Sequence, residues 1–537
     1  MKRKLNVTEI RGAFCLFFLL FMFFVASLRI MAVINEENYS AAAKKQSSYR
    51  LTVTRLRGTI FDTNMKSLTN QKQKIYTAIT PTDEGKNTMS KYLSLEEMRE
   101  LSKKLSDGKP VLFETEKEIK GEGVLSVSVP VCQDGDTLAP HLLGYLDGDG
   151  HGVSGLQKTF DDLLYSESTI DFLYACDAKG DLLSRFSTET VTNERITASG
   201  VKTTIDADIQ RIAEEVMKDF KSGALLVAEV GTGKIRALVS RPDFNPTTIT
   251  DYLEDESSPL LNRAFCAYNV GSVFKPCVAA AALEKGGLSN LLYNCTGGKV
   301  IGGKNFACHN LAGHGTLGIA DAIAFSCNTY FYNLGQKAGS GAVCSMANSL
   351  FFGQRHTFYN GFYTEKGYMP TEKQIHLSEQ TLANTVIGQG DVMLTPVSLL
   401  TLYEAIANGG EYVMPSLIEG IVKNGAVEEI TPSPTTKVMS EKTAEILKKA
   451  LAEVIRKGTG KAAAPTVCTA AGKTATAQTG WKVENKAVNH SWFCGFFPAE
   501  NPRYVAVIIS ENTSGGGTPC PPVFSALADA VYTLKLS

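Results

Sequence analysis

The sequence lacks an excess of either charge, and this excludes several classes of protein. Among its 537 residues, 54 Lys and Arg balance 55 Asp and Glu, so the net charge is −1. A nucleic-acid-binding protein would carry a basic stripe, so we expect no nucleic-acid partner. Charged residues make up 20% and hydrophobic residues 44% of the chain, a balance that disordered chains do not have. The length exceeds what one hydrophobic core usually serves, and we expect at least two domains.

Closely spaced cysteine pairs are also missing. The twelve cysteines are spread along the chain, and its size excludes a small disulfide-stapled domain. We expect most of them to be small, buried apolar residues. Cys295, Cys308, His309 and His314 have the spacing C-x12-C-H-x4-H. Zinc sites usually space paired cysteines by about two to four residues, so we expect no metal ion and no cofactor. A zinc site and a Cys295–Cys308 disulfide remain alternatives to free thiols.

A long apolar run occurs once. Residues 12–34 contain one charge, Arg29, and would form a helix of about 35 Å, enough for a bilayer core of about 30 Å. Four basic residues precede the run: Lys2, Arg3, Lys4 and Arg11. The positive-inside rule then predicts a cytoplasmic tail at 1–11, a membrane anchor at 12–34 and an extracellular body. A cleaved signal peptide is the alternative, although its apolar core would be shorter, about 7–15 residues.

The body divides into two regions by sequence pattern. Residues 35–199 are polar, with short alternating runs that predict strands, and we expect a pedestal that lifts the rest off the membrane. After that, Asp206 predicts the cap of a helix over 207–220, and runs at 224–230 and 235–239 predict a hairpin. A strand at 504–509 and a helix at 525–536 follow. Strands at both ends with helices between them predict an α+β domain.

The segment around Ser272 has the pattern of an activated nucleophile. An Ala-rich run at 278–284 favours a helix, and Pro276 fits only its first turn, so we expect the helix to begin near Gly271. Ser272 would then lie at the positive end of the helix dipole. Lys275 is three residues further on, on the same helical face. A lysine can act as the base for a serine if burial lowers its pKa.

Two further short motifs supply polar groups. Ser326 and Asn328 are two residues apart; a hydroxyl can relay a proton, and a carboxamide can bind a peptide amide. Residues 471–478 predict a strand on which Thr474 and Thr476 share a face, suited with a lysine to binding a carboxylate. The Lys473 side chain is expected on the opposite face of the strand. A twist of the strand or a bent side-chain conformation must therefore bring its amine to the carboxylate site.

Together and in this order, the motifs resemble the S-x-x-K, S-x-N and K-T-G motifs of the penicillin-binding proteins and serine β-lactamases. Arg57-Gly-Thr-Ile-Phe-Asp, Gly152-Val-Ser-Gly-Leu-Gln and Ile387-Gly-Gln-Gly also resemble stretches of the class B transpeptidases. The resemblance implies a membrane-anchored α+β protein. A mixed, dimerisation-type pedestal over 35–199 would precede a transpeptidase domain over 200–537, with a central antiparallel sheet flanked by helices plus an all-helical part.

The resemblance also implies an activity, that of a serine-type peptidoglycan D,D-transpeptidase. Ser272 would attack the D-Ala-D-Ala bond of a stem peptide, and neutral Lys275 would take its proton. Ser326, linked to Lys275 and Lys473, would pass a proton to the leaving amine. Asn328 would hold the substrate amide.

Substrate contacts are implied in the same way. Thr474 and Thr476 would bind the terminal carboxylate, and the backbone N–H groups of Ser272 and Thr476 would form an oxyanion hole. Two positions depart from the family pattern. Ala475 replaces the Gly of K-T-G, where a methyl group would crowd the ligand, so we expect altered β-lactam fit. Gln157 replaces a Glu of the pedestal motif, which bears on pedestal contacts alone.

The implied partners are stem peptides with their lipid-linked precursor, β-lactam antibiotics, and a membrane glycosyltransferase of the shape, elongation, division and sporulation type. Two other functions remain open. A membrane-bound β-lactam hydrolase would need a water-activating group, and a sensor would need a cytoplasmic signalling domain; the sequence offers a candidate for neither. A non-catalytic scaffold would not need the intact motifs.

Overall fold

A computed structural model describes residues 6–46, 48–166, 169–177, 182–183, 189–191, 199–432, 434–483, 486–513 and 519–536. Three basic residues of the predicted tail, Lys2, Arg3 and Lys4, lie outside them. The chain forms two compact units. The first contains Met1–Leu56, Gln73–Pro130 and Glu167–Glu194, and the second contains Arg57–Lys72, Val131–Ser166 and Arg195–Ser537. Two segments of the predicted pedestal region, Arg57–Lys72 and Val131–Ser166, thus belong to the same compact unit as the residues beyond 200. The domain boundary near residue 200 stays a prediction.

The helices of the described residues vary from one turn to eleven. They are α1 (Val7–Gln46), α2 (Asp83–Met89), α3 (Leu95–Lys104), α4 (Pro140–Leu143), α5 (Gly155–Thr159), α6 (Asp161–Leu164), α7 (Ala207–Val216), α8 (Lys275–Lys285), α9 (Ile319–Ala324), α10 (Asn328–Ala338), α11 (Ser340–Ser349), α12 (Glu372–Ile375), α13 (Glu379–Thr385), α14 (Pro396–Ala407), α15 (Glu441–Arg456) and α16 (Cys520–Lys535).

The strands are mostly short, and the three longest come late in the chain. They are β1 (Ser48–Arg55), β2 (Thr59–Phe61), β3 (Lys72–Ile79), β4 (Val111–Thr115), β5 (Val124–Val131), β6 (Thr169–Ala175), β7 (Glu189–Val191), β8 (Gly200–Thr203), β9 (Gly223–Glu229), β10 (Ile235–Arg241), β11 (Tyr268–Asn269), β12 (Tyr293–Cys295), β13 (Gly298–Ile301), β14 (Lys304–Ala307), β15 (Gly315–Leu317), β16 (Thr357–Tyr359), β17 (Phe362–Tyr363), β18 (Met393–Leu394), β19 (Glu411–Tyr412), β20 (Ile418–Lys423), β21 (Ala426–Glu429), β22 (Thr436–Lys437), β23 (Ala471–Val483), β24 (Lys486–Phe497) and β25 (Tyr504–Thr513).

Helix α1 contains the apolar run. Its part Val7–Met31 has a mean hydropathy of 2.4 and is long and apolar enough to cross a membrane, the one such helix among the described residues. It overlaps most of the predicted anchor at 12–34 and is consistent with a single-pass membrane anchor.

The first unit is built from two three-stranded sheets. Their strand orders are β1-β6-β7 and β4-β3-β5. The second sheet packs with α2 and α3 around a small apolar core that includes Ile79, Met89 and Leu101. Helix α3 begins at a capping box, in which Ser94 and Glu97 each bond the other's backbone N–H.

The second unit is organised around a five-stranded antiparallel sheet of order β10-β9-β25-β24-β23. Alternate residues of its strands enter two different cores, as the period of two requires. Leu226 and Val507 pack on the side of α8, α14 and α15, whereas Val227 and Ile508 pack on the side of α7 and α16. The sheet is therefore covered on both faces, and β23 is one of its edges. This architecture confirms the predicted α+β class.

Most elements predicted in this unit are present. Asp206 caps α7 through hydrogen bonds from the N–H groups of Asp208 and Ile209, at 3.0 and 3.2 Å. The predicted hairpin is β9–β10, the late strand is β25, and the closing helix is α16. Helix α7 ends at Val216, earlier than the predicted residue 220, because the N–H groups of Met217 and Lys218 donate to the carbonyls three residues back, at 3.2 and 3.3 Å, in tighter turns.

Gln157, which departs from the family pattern, contacts Arg57 in the second unit. Its side-chain Oε1 accepts a 2.6 Å hydrogen bond from Nε of the buried Arg57. The negative charge beside Arg57 comes from Asp161, whose carboxylate lies 2.7 Å from Nη2 of Arg57. A neutral side chain at position 157 therefore leaves Arg57 with an ionic partner.

Candidate active site

The segment that carries Ser272 is a tight turn rather than the first turn of an α-helix. Gly271–Phe274 form a 3-10 turn, and α8 begins only at Lys275. The helix start predicted near Gly271 is thus displaced by one turn, since Gly271 has a φ of +60°, outside the right-handed helical region. In a 3-10 turn residues i and i+3 are eclipsed, so Ser272 and Lys275 still share a side. Pro276 lies in the first turn of α8, as predicted.

Two contacts hold this turn in place. The N–H of Gly271 donates to the carbonyl of Gly388 at 2.8 Å. Gly271 also packs against β23 so closely that a Cβ there would lie 3.3 Å from the Thr476 carbonyl oxygen and from the Cα of Ala477. The nucleophile candidate is therefore fixed against the edge strand of the sheet.

Lys275 is fully buried beneath the turn. Its Nζ donates to the Ser326 carbonyl at 2.7 Å, to the Ser326 hydroxyl at 3.2 Å and to Oδ1 of Asn328 at 2.7 Å. Burial away from water lowers the pKa of Lys275 to about 7. Near neutral pH the amine therefore exists in substantial part in its uncharged form, the form that can take up a proton.

Ser326 lies on the turn between α9 and α10. It has a φ of +54°, which is uncommon for a residue with a side chain. In this conformation both its carbonyl and its hydroxyl accept from Lys275. Asn328 is the first residue of α10. The S-x-N motif is thus a strained turn that places two polar side chains and one backbone carbonyl around the Lys275 amine.

The third motif lies on edge strand β23. Thr474 is half-buried and Thr476 exposed on one face, while Lys473, Ala475 and Ala477 are buried on the other. The predicted alternation is therefore correct. Nζ of Lys473 donates to the Thr474 carbonyl at 2.9 Å. Burial, and secondarily the charge of Lys275, lower the pKa of Lys473 well below its ordinary value.

One pocket of about 560 Å³ gathers most of the predicted residues. Ser272, Ser326, Asn328 and the 474–476 segment all line it. Lys275 and Lys473 are not among its lining residues and are completely buried. The pocket thus presents hydroxyl, carboxamide and backbone groups, with two buried amines near it.

The sequence patterns did not single out several residues of the pocket wall. They include Thr459 and Asn489. The Thr459 hydroxyl lies 2.8 Å from that of Thr474, and the N–H of Thr459 donates to the Ala324 carbonyl at 3.1 Å. The two glycines that flank Thr459 just after α15 are the sequence signal that could have marked this loop.

Cysteine and histidine side chains gather beside the pocket. All twelve cysteines are free thiols, so the alternative Cys295–Cys308 disulfide is not formed. The donor atoms of Cys295, Cys308, His314 and Cys327 all lie within 4.8 Å of one another and could hold a metal ion. The spacing pattern had suggested His309 in place of Cys327.

Comparisons with known proteins agree with this geometry. Residues 223–529 match the family described as the penicillin-binding protein transpeptidase domain. Stage V sporulation protein D of Bacillus subtilis is 28% identical over 565 residues, covering 97% of this chain and 85% of that protein. Peptidoglycan D,D-transpeptidase PbpA of Mycobacterium tuberculosis is 28% identical over 367 residues, covering 62% of this chain and 72% of that protein.

Solved structures share the fold. The D,D-transpeptidase domain of a peptidoglycan glycosyltransferase from Eggerthella lenta has a TM-score of 0.65 at 24% identity, covering 90% of this chain and all of that one. Penicillin-binding protein PBP2 of Helicobacter pylori, solved in complex with MreC, has a TM-score of 0.66 at 20% identity, covering 91% of this chain and 99% of that one. The resemblance inferred from three short motifs is confirmed, and the chain belongs to the penicillin-binding protein transpeptidase family.

Proposed function

We propose that this protein is a peptidoglycan D,D-transpeptidase that cross-links stem peptides through an acyl-enzyme on Ser272 and is inhibited by β-lactams. The observation that carries the proposal is the single pocket that unites Ser272, Ser326, Asn328 and the 474–476 strand, with buried Lys275 bonded to both residues of the S-x-N motif. The names of relatives such as PbpA, a peptidoglycan D,D-transpeptidase, support it.

Acylation begins at the Ser272 hydroxyl. Its oxygen attacks the carbonyl carbon of the D-Ala-D-Ala peptide bond, and uncharged Lys275 takes the proton. Because Lys275 is hydrogen-bonded to the Ser326 hydroxyl, the proton can pass through Ser326 to the leaving nitrogen. The C–N bond then breaks, D-Ala leaves with its amine protonated, and an ester joins Ser272 to the stem peptide.

The edge strand supplies the groups that hold the substrate. The Thr476 carbonyl lies against Gly271, and in an extended strand the N–H of the same residue points to the same side. The N–H of Thr476 therefore faces Ser272 and can form an oxyanion hole with the N–H of Ser272. Loss of one such donor typically slows a reaction about 100- to 1000-fold. The hydroxyls of Thr474 and Thr476 bind the terminal carboxylate, and Asn328 holds the substrate amide.

Deacylation completes the cross-link. An amine of a second stem peptide attacks the ester carbonyl, a new amide bond forms as the C–O bond to Ser272 breaks, and the Ser272 oxygen receives the proton that the amine loses. A β-lactam amide takes the place of the D-Ala-D-Ala bond in the first step, but its leaving nitrogen remains tethered to the adduct. The acyl-enzyme then persists because the acceptor amine cannot displace it quickly.

Mass spectrometry of the wild-type protein tests this proposal. After incubation with a fluorescent penicillin, we expect one added penicilloyl group, located on the peptide that contains Ser272, with a lifetime of hours. With a donor stem peptide and an acceptor amine, we expect a cross-linked product and free D-Ala. An adduct lost within seconds would instead indicate a hydrolase, and a folded protein with no adduct would indicate a scaffold.

We also propose the topology and one partner. With its N-terminus in the cytoplasm and helix α1 in the membrane, the chain would expose the pedestal region 35–199 and the transpeptidase domain to the cell wall. A membrane glycosyltransferase that polymerises lipid-linked precursor would then work beside it. Protease added to intact protoplasts should degrade the body of the protein, and cross-linking in the membrane should recover the polymerase. A protected body would contradict this orientation.

Replacing Ala475 with glycine should speed acylation. Residue Ala475 is 4% exposed and is among those that line the pocket, and a glycine at this position would let a ligand approach the strand edge more closely. We expect β-lactam acylation to accelerate about three- to tenfold, equivalent to roughly 0.7–1.4 kcal/mol of activation free energy. Stopped-flow kinetics with several β-lactams would measure it.

Ala471→Gly is the matched control for that experiment. Ala471 lies four residues earlier on the same buried face of β23 and does not line the pocket. Each glycine should cost about 0.5–1 kcal/mol of stability through backbone freedom, so both variants should unfold at similar temperatures. Only Ala475→Gly should change acylation; equal rates for wild type and Ala475→Gly with every β-lactam would contradict the expectation.

A further inference from the structure

A tryptophan lies in solvent near the end of the edge strand that carries the third motif. Trp481 is 73% exposed, whereas the chain's other tryptophan, Trp492, is completely buried and donates through Nε1 to the Asn269 carbonyl at 3.0 Å. Tryptophan side chains are large and on average highly buried. An exposed indole on the same strand as Thr474 and Thr476 is therefore unusual.

A β-bulge in strand β23 contains Trp481. Gln478 pairs with Asn489 and Lys482 pairs with Ala487, so four steps along β23 lie opposite only two steps along β24. Bulges re-aim side chains and are frequent beside active sites. The regular alternation of the strand thus stops just before Trp481, at the point where the strand leaves the pocket.

The Thr479 hydroxyl fixes the shape of this bulge. It donates to the Val488 carbonyl at 2.7 Å and accepts from the N–H of Trp481 at 3.1 Å. Gly480 lies between them with a φ of +79°, a conformation that favours glycine. A Cβ on Gly480 would have no atom of the described part of the chain within 4 Å. Hydrogen bonds therefore define the backbone that carries the indole, and open space lies beside it.

The side chains around Trp481 are polar. Gln478 and Lys482 are exposed, and Gln478 and Asn489 also line the pocket. A flat indole beside amide groups and an ammonium suits a pyranose ring, which has an apolar C–H face and a rim of hydroxyl and acetamido groups. A protein partner or a membrane would require a wider apolar patch than one indole ring provides.

The distance from the substrate site to Trp481 can be counted along the neighbouring strand β24. Thr476 pairs with Ser491, and Lys482 pairs with Ala487. These four steps of β24 span about 13–14 Å, at about 3.3–3.4 Å per residue. Because Trp481 adjoins Lys482, the indole lies about that far beyond Thr476 along the sheet.

A stem peptide bound in the pocket covers the same distance. The proposed function places its terminal carboxylate at the hydroxyls of Thr474 and Thr476, and its scissile carbonyl at the N–H of Thr476. The rest of the peptide therefore continues past Gln478 toward the end of the hairpin. About four residues separate the scissile carbonyl from the amino sugar that carries the stem, and when extended they span about 13–14 Å.

We propose that Trp481, with Gln478 and Lys482 beside it, is a binding subsite for the amino sugar of the donor glycan. The inference rests on the proposed function, because it takes the donor to be a stem peptide bound at Ser272. The indole stacks on the apolar face of the sugar ring, and its polar neighbours bond the hydroxyl and acetamido groups. The subsite thus selects glycan-linked donors over free peptides without touching the reacting atoms.

Two acyl donors test the subsite in the full chain: a D-Ala-D-Ala stem peptide linked to its disaccharide, and the same peptide without sugars. The ratio of their kcat/KM values for D-Ala release is measured with one acceptor amine within each protein preparation, so that any inactive fraction cancels. We expect the wild type to prefer the sugar-linked donor about three- to tenfold, mainly through a lower KM. Trp481→Ala should bring the ratio close to one, and Trp481→Tyr should restore most of the preference. Equal kcat/KM values for the two donors in the wild type would overturn the proposal, as would a wild-type ratio in Trp481→Ala.

Tyr363→Ala is the matched control for loss of an exposed ring. Tyr363 is 45% exposed on β17 and does not line the pocket. Its removal should leave the donor ratio at the wild-type value. A ratio that falls as far in Tyr363→Ala as in Trp481→Ala would contradict a specific subsite.

Penicillin labelling and indole fluorescence separate this inference from the proposed function. The disaccharide without peptide should shift the emission of the wild type to shorter wavelength and leave that of Trp481→Tyr unchanged, because only buried Trp492 remains there. If penicillin does not acylate the wild type, the proposed function fails, and the emission shift still decides the subsite. If penicillin acylates it but the emission stays constant and both donors react alike, the subsite fails and the proposed function stands.

Discussion

Replacement of Ser272 with alanine should abolish covalent labelling by penicillin. The adduct is an ester of the Ser272 oxygen, and Ser272 faces the pocket from a turn that the Gly388 carbonyl and strand β23 hold in place. Alanine keeps that turn and removes only the hydroxyl. We expect no labelled band after fluorescent penicillin treatment, and no added mass on the intact protein, at concentrations that saturate the wild type.

Ser326→Ala is the informative comparison. Both hydroxyls line the same pocket, but Ser326 is assigned the relay of a proton and not the attack. Its loss should slow acylation about 10²- to 10⁴-fold and leave the adduct on Ser272. An adduct that survives in Ser272→Ala, or that maps to Ser326 in either protein, would reverse the two roles.

The local sequence predicts the chemical roles of the site residues better than it predicts how these residues are arranged in space. Ser272 and Lys275 are three residues apart, so any helical turn places them on one side, and the motif could be interpreted without a fold. The complete burial of Lys275, which determines its pKa, depends on packing with the turn between α9 and α10. Nothing near Lys275 in sequence indicates that contact.

The spacing of residues in the sequence did not predict contacts that the fold makes between distant segments of the chain. The pattern C-x12-C-H-x4-H grouped His309 with Cys295, Cys308 and His314, because it considered only a short window. The fourth donor in space is Cys327, which reaches the cluster from the α9–α10 turn. Thr459 was missed for the same reason, since its contact with Thr474 joins the end of α15 to β23.

Lys275 gives the second large effect, and its pH dependence has a definite sign. Only the uncharged amine can take a proton from Ser272, and burial lowers the pKa of Lys275 to about 7. Below that pH the amine is mostly protonated, so the acylation rate should rise about tenfold per pH unit. Above it the amine is mostly uncharged and the rate should level off. Stopped-flow acylation between pH 5.5 and 9 would measure the profile.

Two replacements of Lys275 separate the base from the hydrogen bonds. Lys275→Met removes the amine, and Lys275→Arg keeps donors for Ser326 and Asn328 on a group that stays protonated. Both should lower the acylation rate about 10²- to 10⁴-fold, and neither should show the rise below pH 7. A Lys275→Arg protein that acylates near the wild-type rate would mean that Lys275 acts by holding Ser326 and Asn328. A wild-type rate that is constant through pH 7 would assign the proton transfer to another group, and buried Lys473, whose pKa burial also lowers well below its ordinary value, would be the next residue to replace.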